Sequence, residues 1–167
     1  MALNGEMCGI LVAGAQKERA SHDFYVEASR KTQHALGKKM FDMLAADETK
    51  HEHLLQSWAN QGVCPVDVPF PPVDKEFLKK VKAKLQEAVK AETTELQAIE
   101  IGQDMERKAV AFYQDAAGKA ADAPSKNLFL RLKGEEDRHL AMLTDLYGYM
   151  ANPELWSVRD ERSNFDS

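Results

Sequence analysis

The sequence predicts an all-α protein, a four-helix bundle made of two helix pairs with one long crossover between them. Three observations lead there. Apolar residues recur at helical spacing through most of the 167 residues, and few Gly or Pro interrupt them. Pro65, Pro69, Pro71 and Pro72 crowd one stretch near the middle, where fixed φ angles and missing donors exclude helix interior. The second half also repeats the first at an offset of 88 residues, which maps Phe41 onto Phe129, Leu44 onto Leu132, His51 onto His139 and Leu55 onto Leu143. Upstream, the same offset maps Glu18-Arg19 onto Glu106-Arg107 and Phe24-Tyr25 onto Phe112-Tyr113. The repeating unit is therefore a helix pair.

The first helix is expected from about Leu3 to Lys31, where Met7, Ile10, Leu11, Phe24 and Ala28 keep helical spacing. Gly37 and the polar residues before it mark a tight connection, and Met40 to Trp58 forms the second helix, ending near Asn60-Gln61-Gly62. After the proline-rich stretch, Asp74 caps an amphipathic crossover helix with Phe77, Leu78, Val81, Leu85 and Val89 on one side. Its lysines read as the solvated face. The third helix runs from about Thr94 to Lys119. Pro124 lies in a break at Asp122 to Ser125, and the fourth helix runs from Lys126 to Tyr149, closed by Asn152-Pro153. The bundle thus takes up residues 1–150, and residues 151–167 form a polar tail that packs as an arm or frays.

Glu48 and His51, three residues apart, share one helix face, and Glu136 and His139 do the same. Short connections make antiparallel neighbours. The midpoint between Glu18 and Glu48 falls at residue 33, and that between Glu106 and Glu136 at residue 121, each at a predicted turn. Residues equidistant from a hairpin turn lie at one depth, here roughly 22 Å from the turn at about 1.5 Å per residue. All four glutamates can meet in mid-bundle.

One Glu from each of two helices and Glu-x-x-His from each of the other two is the ligand set of di-iron and di-manganese carboxylate centres. Four ionised carboxylates buried together repel one another and resist desolvation, and two divalent cations cancel their charge. Glu18 and Glu106 are assigned as terminal ligands, Glu48 and Glu136 as bridges, and His51 and His139 as one nitrogen donor each. These six are also the candidate catalytic residues. Two iron ions suit this mixed oxygen and nitrogen set, with manganese or zinc as alternatives. The competing reading, six polar surface residues, is weakened because these positions continue the apolar stripes. Tyr25 and Tyr113, seven residues after Glu18 and Glu106, either hydrogen-bond the carboxylates or are plain core tyrosines. His22, His34 and His53 lack repeat partners and are expected to face solvent. Met40, Met43, Met105 and Met142 are expected to fill the core.

Composition narrows the function classes. A net charge of -5 gives no basis for a nucleic-acid partner. No run is long and apolar enough for a membrane span, and residues 1–15 lack the basic start of a secretory signal, so a cytoplasmic setting is expected. Cys8 and Cys64 are too few for a disulfide framework or a four-cysteine metal site, and a reducing compartment fits. Cys8 is expected as a small core residue and Cys64 as incidental.

On the six-residue pattern, residues 3–149 resemble the ferritin-like superfamily, and within it the rubrerythrin-like di-iron proteins. The resemblance implies a ferritin-like bundle, a di-iron centre held by Glu18, Glu48, His51, Glu106, Glu136 and His139, and oxidation of Fe(II) by peroxide or oxygen. A part in oxidative-stress defence and a homodimer or larger homo-oligomer are also implied. Two departures stand out. Full-length rubrerythrins append a rubredoxin domain that feeds in electrons, whereas this chain has neither the length nor the cysteines, so a separate electron donor is implied. Where rubrerythrins commonly carry a further glutamate, one turn before the third-helix ligand, this chain has Gln103. The leading expectation is a non-haem di-iron oxidoreductase of peroxidase or ferroxidase type. Iron storage or delivery in a multi-subunit assembly, and a metal-stabilised scaffold without activity, are the alternatives.

Overall fold

The computed structural model describes residues 5–63 and 94–152. Helix α1 spans Gly5–Lys31, α2 spans Ala35–Trp58 and runs into a π-helical turn at Ala59–Val63, α3 spans Glu95–Lys119 and α4 spans Ala123–Ala151. Packing is closest within the pairs, α1 with α2 and α3 with α4. Between pairs, α1 meets α3 more extensively than α2 meets α4. The described residues are an all-α four-helix bundle. None of their helices is long and apolar enough to cross a membrane.

Local chemistry sets the helix ends. The His34 side chain accepts from Gly37 N at the start of α2, so Gly37 lies inside this helix and not in the connection expected there. Thr94 and Gln97 form a reciprocal capping box at α3. Asp122 caps α4 through Ser125 N at 2.8 Å, and Pro124 falls in the first turn, where its missing N–H is no loss. The expected break at 122–125 is therefore the start of α4 itself. The Glu95 carboxylate accepts from the Thr32 hydroxyl and from His34 N at 2.9 Å, tying the α1–α2 turn to the start of α3. The expected crossover helix, Cys64, the proline-rich stretch and nearly all of the tail lie outside the described residues.

The core is split in two. One apolar cluster contains Leu11, Leu55, Tyr113, Phe129 and Leu132, and the other contains Tyr25, Phe41, Leu44, Ile99 and Leu143. The 88-residue offset carries members of one cluster onto the other, as in Tyr25 onto Tyr113 and Phe41 onto Phe129. An approximate twofold relation thus exchanges the two ends of the bundle. Tyr25 stacks on Phe41 with ring centroids 6.1 Å apart, and Tyr113 on Phe129 at 6.3 Å. Each of these large apolar side chains contributes about 1.5–3 kcal/mol by its burial. A layer of buried acids and histidines separates the clusters in sequence along every helix.

Several surface expectations change. Met43 is 42% exposed and fills no core, because its position faces outward from α2. His22 is half-buried, its Nδ1 lying 2.9 Å from Ala45 O and 3.0 Å from Thr49 Oγ1. His34 is also half-buried, capping α2 and packing edge-on against Tyr149. Cys8 is buried as expected but disulfide-bonded, which its burial among apolar neighbours did not signal.

Two glycines related by the repeat let the halves approach. A Cβ on Gly14 would stand 3.1 Å from Leu55 Cδ1 and 3.5 Å from the Tyr113 hydroxyl, and one on Gly102 would stand 3.2 Å from Leu143 Cδ1 and 3.3 Å from Tyr25 Cε1. Their neighbours are fully buried and have little room to yield. Gly134, by contrast, has open space around it. Gly134→Ala is expected to stabilise the protein by about 0.5–1 kcal/mol through helix propensity alone. In Gly102→Ala, overpacking of about 1–3 kcal/mol outweighs that gain, so stability falls. Urea denaturation of both variants checks this, and equal stabilisation by the two would contradict the close-packing role of Gly102.

Candidate metal centre

Each helix delivers its polar residues to the layer between the apolar clusters: Glu18 from α1, Glu48 and His51 from α2, Glu106 from α3, Glu136 and His139 from α4. Their i, i+3 spacing keeps glutamate and histidine on one face, and the antiparallel pairing brings the faces to a common depth. All six are buried, none more than 6% exposed, which excludes the surface reading. They form two overlapping groups, Glu18, Glu48, His51 and Glu136 in one and Glu48, Glu106, Glu136 and His139 in the other. Within each group, one donor atom per residue lies within 4.8 Å of all the others. Glu48 and Glu136 belong to both, the position a bridging carboxylate requires.

The distances repeat across the approximate twofold. His51 Nδ1 lies 2.9 Å from Glu136 Oε1, 3.4 Å from Glu18 Oε2 and 3.8 Å from Glu48 Oε2. His139 Nδ1 lies 3.1 Å from Glu48 Oε1, 3.4 Å from Glu136 Oε2 and 3.8 Å from Glu106 Oε1. The rings are nearly parallel, 5.6 Å apart at 23°. Both Nδ1 atoms point inward.

The two tyrosines settle the alternative left open by their spacing. Tyr25 OH donates to Glu106 Oε1 and Tyr113 OH to Glu18 Oε1, each reaching from one helix pair to the other. Each terminal carboxylate is thus oriented by a phenol from the opposite half, which needs Gly14 and Gly102 to let the rings in. The tyrosine pairing was visible in the repeat. Its crossing between halves was not, since that depends on how the pairs dock.

Electrostatics in this layer are severe. Burial raises Glu18 well above the ordinary carboxylate range, and the neighbouring Glu48 adds to the shift. Burial, Glu136 and Glu48 together push Glu106 up to about 10. For Glu48 and Glu136 burial acts in the same direction, but close contacts within the cluster, those with both histidines included, outweigh it and hold both low. Burial disfavours the charged form of His51, yet the surrounding carboxylates win and lift it to about 12, and His139 to about 10 in the same way. Burial and the facing glutamates keep both phenols protonated well past their ordinary range.

Several of these atoms nevertheless stand close to one another without a well-aligned hydrogen bond. Both Glu48 oxygens, Glu136 Oε1, His51 Nδ1 and His139 Nδ1 are buried and unpartnered on this shared space, and His139 Nε2 is buried and unpartnered on the far side of its ring. Buried polar atoms are normally satisfied, and a converging set of carboxylate and imidazole donors without partners fits divalent cations of the iron, manganese and zinc class. Gln103 stands apart from this set, its Nε2 donating to Thr144 Oγ1 at 3.2 Å.

Residues around the six were less visible in the sequence. Glu52, one turn after Glu48 and equally buried, is held by Arg19 at 3.0 Å and by Gln56 at 2.8 Å, outside the cluster. Asp47 and Glu135, each preceding a shared glutamate, border a cavity of about 460 Å³ that reaches His51. Their matched positions in the repeat were the available signal.

The family model for Rubrerythrin matches residues 9–147. No curated protein and no solved structure matches the chain significantly. The matched span includes all six clustered residues and most of all four helices. With a buried carboxylate and histidine cluster of the di-iron carboxylate type at its centre, the chain belongs to the rubrerythrin family.

Proposed function

We propose that Glu18, Glu48, His51, Glu106, Glu136 and His139 hold two iron ions, and that the protein oxidises this iron with hydrogen peroxide or oxygen. The observation carrying the proposal is the convergence of buried, unpartnered donors from four helices on one layer. When bound, two Fe(II) ions supply two electrons, enough with two protons to convert one hydrogen peroxide into two waters. Turnover would require a separate electron donor to supply those two electrons again.

The residues divide the work. Glu48 and Glu136 offer both oxygens to the shared space, as bridges do. Glu18 and Glu106 each have one oxygen occupied by a tyrosine, which limits how these side chains can swing. His51 and His139 present Nδ1 inward. Gln103 adds no negative charge, so the centre holds four carboxylates, matched by two divalent cations.

Charge balance gives a prediction about protons. Burial and crowding raise Glu18, Glu106, His51 and His139, which favours their protonated forms, while Glu48 and Glu136 are held low and favour the ionised form. Metal ligation needs ionised carboxylates and neutral imidazoles, so divalent ions would displace protons from the raised carboxyls and imidazoles. Binding therefore strengthens as pH rises. Adding Mn(II) or Zn(II) to chelator-treated protein in weak buffer is expected to release protons, and affinity insensitive to pH would contradict the scheme.

Redox function is tested by anaerobic loading with Fe(II) and rapid mixing with peroxide or, separately, oxygen, followed optically. Two irons per chain should oxidise rapidly, and Glu136→Ala should remove the fast phase. No fast oxidation with either oxidant would reject the proposal. Tyr25→Phe leaves the Glu106 carboxylate without its donor. Loss of a hydrogen bond to a charged group is worth about 1.5–3 kcal/mol, so metal affinity should shift by at least about tenfold by isothermal calorimetry.

A further inference from the structure

A histidine that binds metal through one ring nitrogen carries its proton on the other, and the acceptor of that proton fixes the ring. His139 turns Nδ1 toward Glu48, Glu106 and Glu136, and its Nε2 faces Asp47 Oδ2 at 3.6 Å. That distance is longer than a hydrogen bond, and Nε2 is buried with no partner. Among the described residues, Asp47 supplies the one carboxylate recorded within ion-pair reach of this nitrogen. Asp47 is itself anchored, because Lys50 Nζ holds Oδ1 at 2.6 Å and leaves Oδ2 toward the ring. As neighbours on α2, Asp47 and Glu48 therefore address opposite nitrogens of the same α4 histidine.

The repeat does not reproduce this contact. Glu135 corresponds to Asp47 and is likewise held through one oxygen by a cation three residues on, Arg138, but no contact between Glu135 and His51 is recorded among the described residues. His51 instead lines the cavity of about 460 Å³, together with Asp47, Lys50, Glu135 and Arg138. One histidine has a carboxylate behind it, and the other borders open space. A near-symmetric ligand set is thus held by asymmetric surroundings.

We propose that Asp47 is a positioning residue: by accepting the Nε2 proton of His139 it fixes the tautomer that presents Nδ1 to metal, and it makes the His139 half of the centre the tighter one. The inference rests on the six-ligand reading above. A side-chain rotation that shortens the 3.6 Å separation to hydrogen-bond length is all it requires.

Co(II) titration of the full chain, followed by visible absorption and by proton NMR of the hyperfine-shifted imidazole N–H signals, tests it. The wild type should bind two Co(II) with unequal affinities and show one slowly exchanging imidazole N–H. Asp47→Ala should weaken the tighter position by about ten- to a hundredfold and speed exchange of that proton. Asp47→Asn, whose amide oxygen still accepts, should retain most of the affinity. Unchanged affinities and exchange in Asp47→Ala, equal wild-type affinities, or an Asp47→Asn as weak as Asp47→Ala would each overturn the positioning role while leaving two-metal binding intact. A wild type that binds fewer than two Co(II) would overturn both readings.

Discussion

Four carboxylates and two imidazoles buried in one layer are the constraint on which the rest of the structure depends. Without counter-charge such a layer would force the bundle apart, since each isolated buried carboxylate carries a desolvation penalty of several kcal/mol. The protein answers with proximity. Imidazoles stand against shared glutamates, phenols against terminal ones, and two packed apolar clusters shut the layer in from either end. The same crowding that raises Glu106 and both histidines favours their protonated forms, and under the proposed function metal cations would replace those protons.

The repeat is the means by which the layer is built. A duplicated helix pair docks on itself about an approximate twofold, so Glu18, Glu48, Tyr25 and Gly14 find their counterparts in Glu106, Glu136, Tyr113 and Gly102. Tyr25 and Tyr113 show why docking matters: neither serves the glutamate of its own helix, and each fixes the terminal carboxylate of the opposite pair. Gly14 and Gly102 supply the space. Where the counterparts diverge, as at Asp47 and Glu135, the two halves acquire different surroundings.

The helices, their pairing and the convergence of Glu18, Glu48, His51, Glu106, Glu136 and His139 were legible because periodicity and spacing fix the face and depth of a helical residue. Helix ends were less legible. Gly37 and Pro124 suggest breaks by composition, whereas the capping by His34 and Asp122 places both inside helices. Interactions across the bundle were the hardest to read. The burial of Glu52 against Arg19, the outward face of Met43, the half-buried His22 and the asymmetric backing of the two histidines all depend on which surfaces meet after docking, and a single helix pattern does not encode that. Cys8 gave no sign of its disulfide, because a buried apolar position is also where a free cysteine would sit.

The central claim is that these six residues form a two-metal centre. A crystal of the iron-loaded protein, with anomalous scattering measured on both sides of the iron absorption edge, tests it most directly. The account predicts two iron peaks about 3.5–4 Å apart, between Glu48 and Glu136, one beside His51 Nδ1 and the other beside His139 Nδ1. A single peak, or iron bound elsewhere with the six side chains keeping only each other as partners, would contradict it.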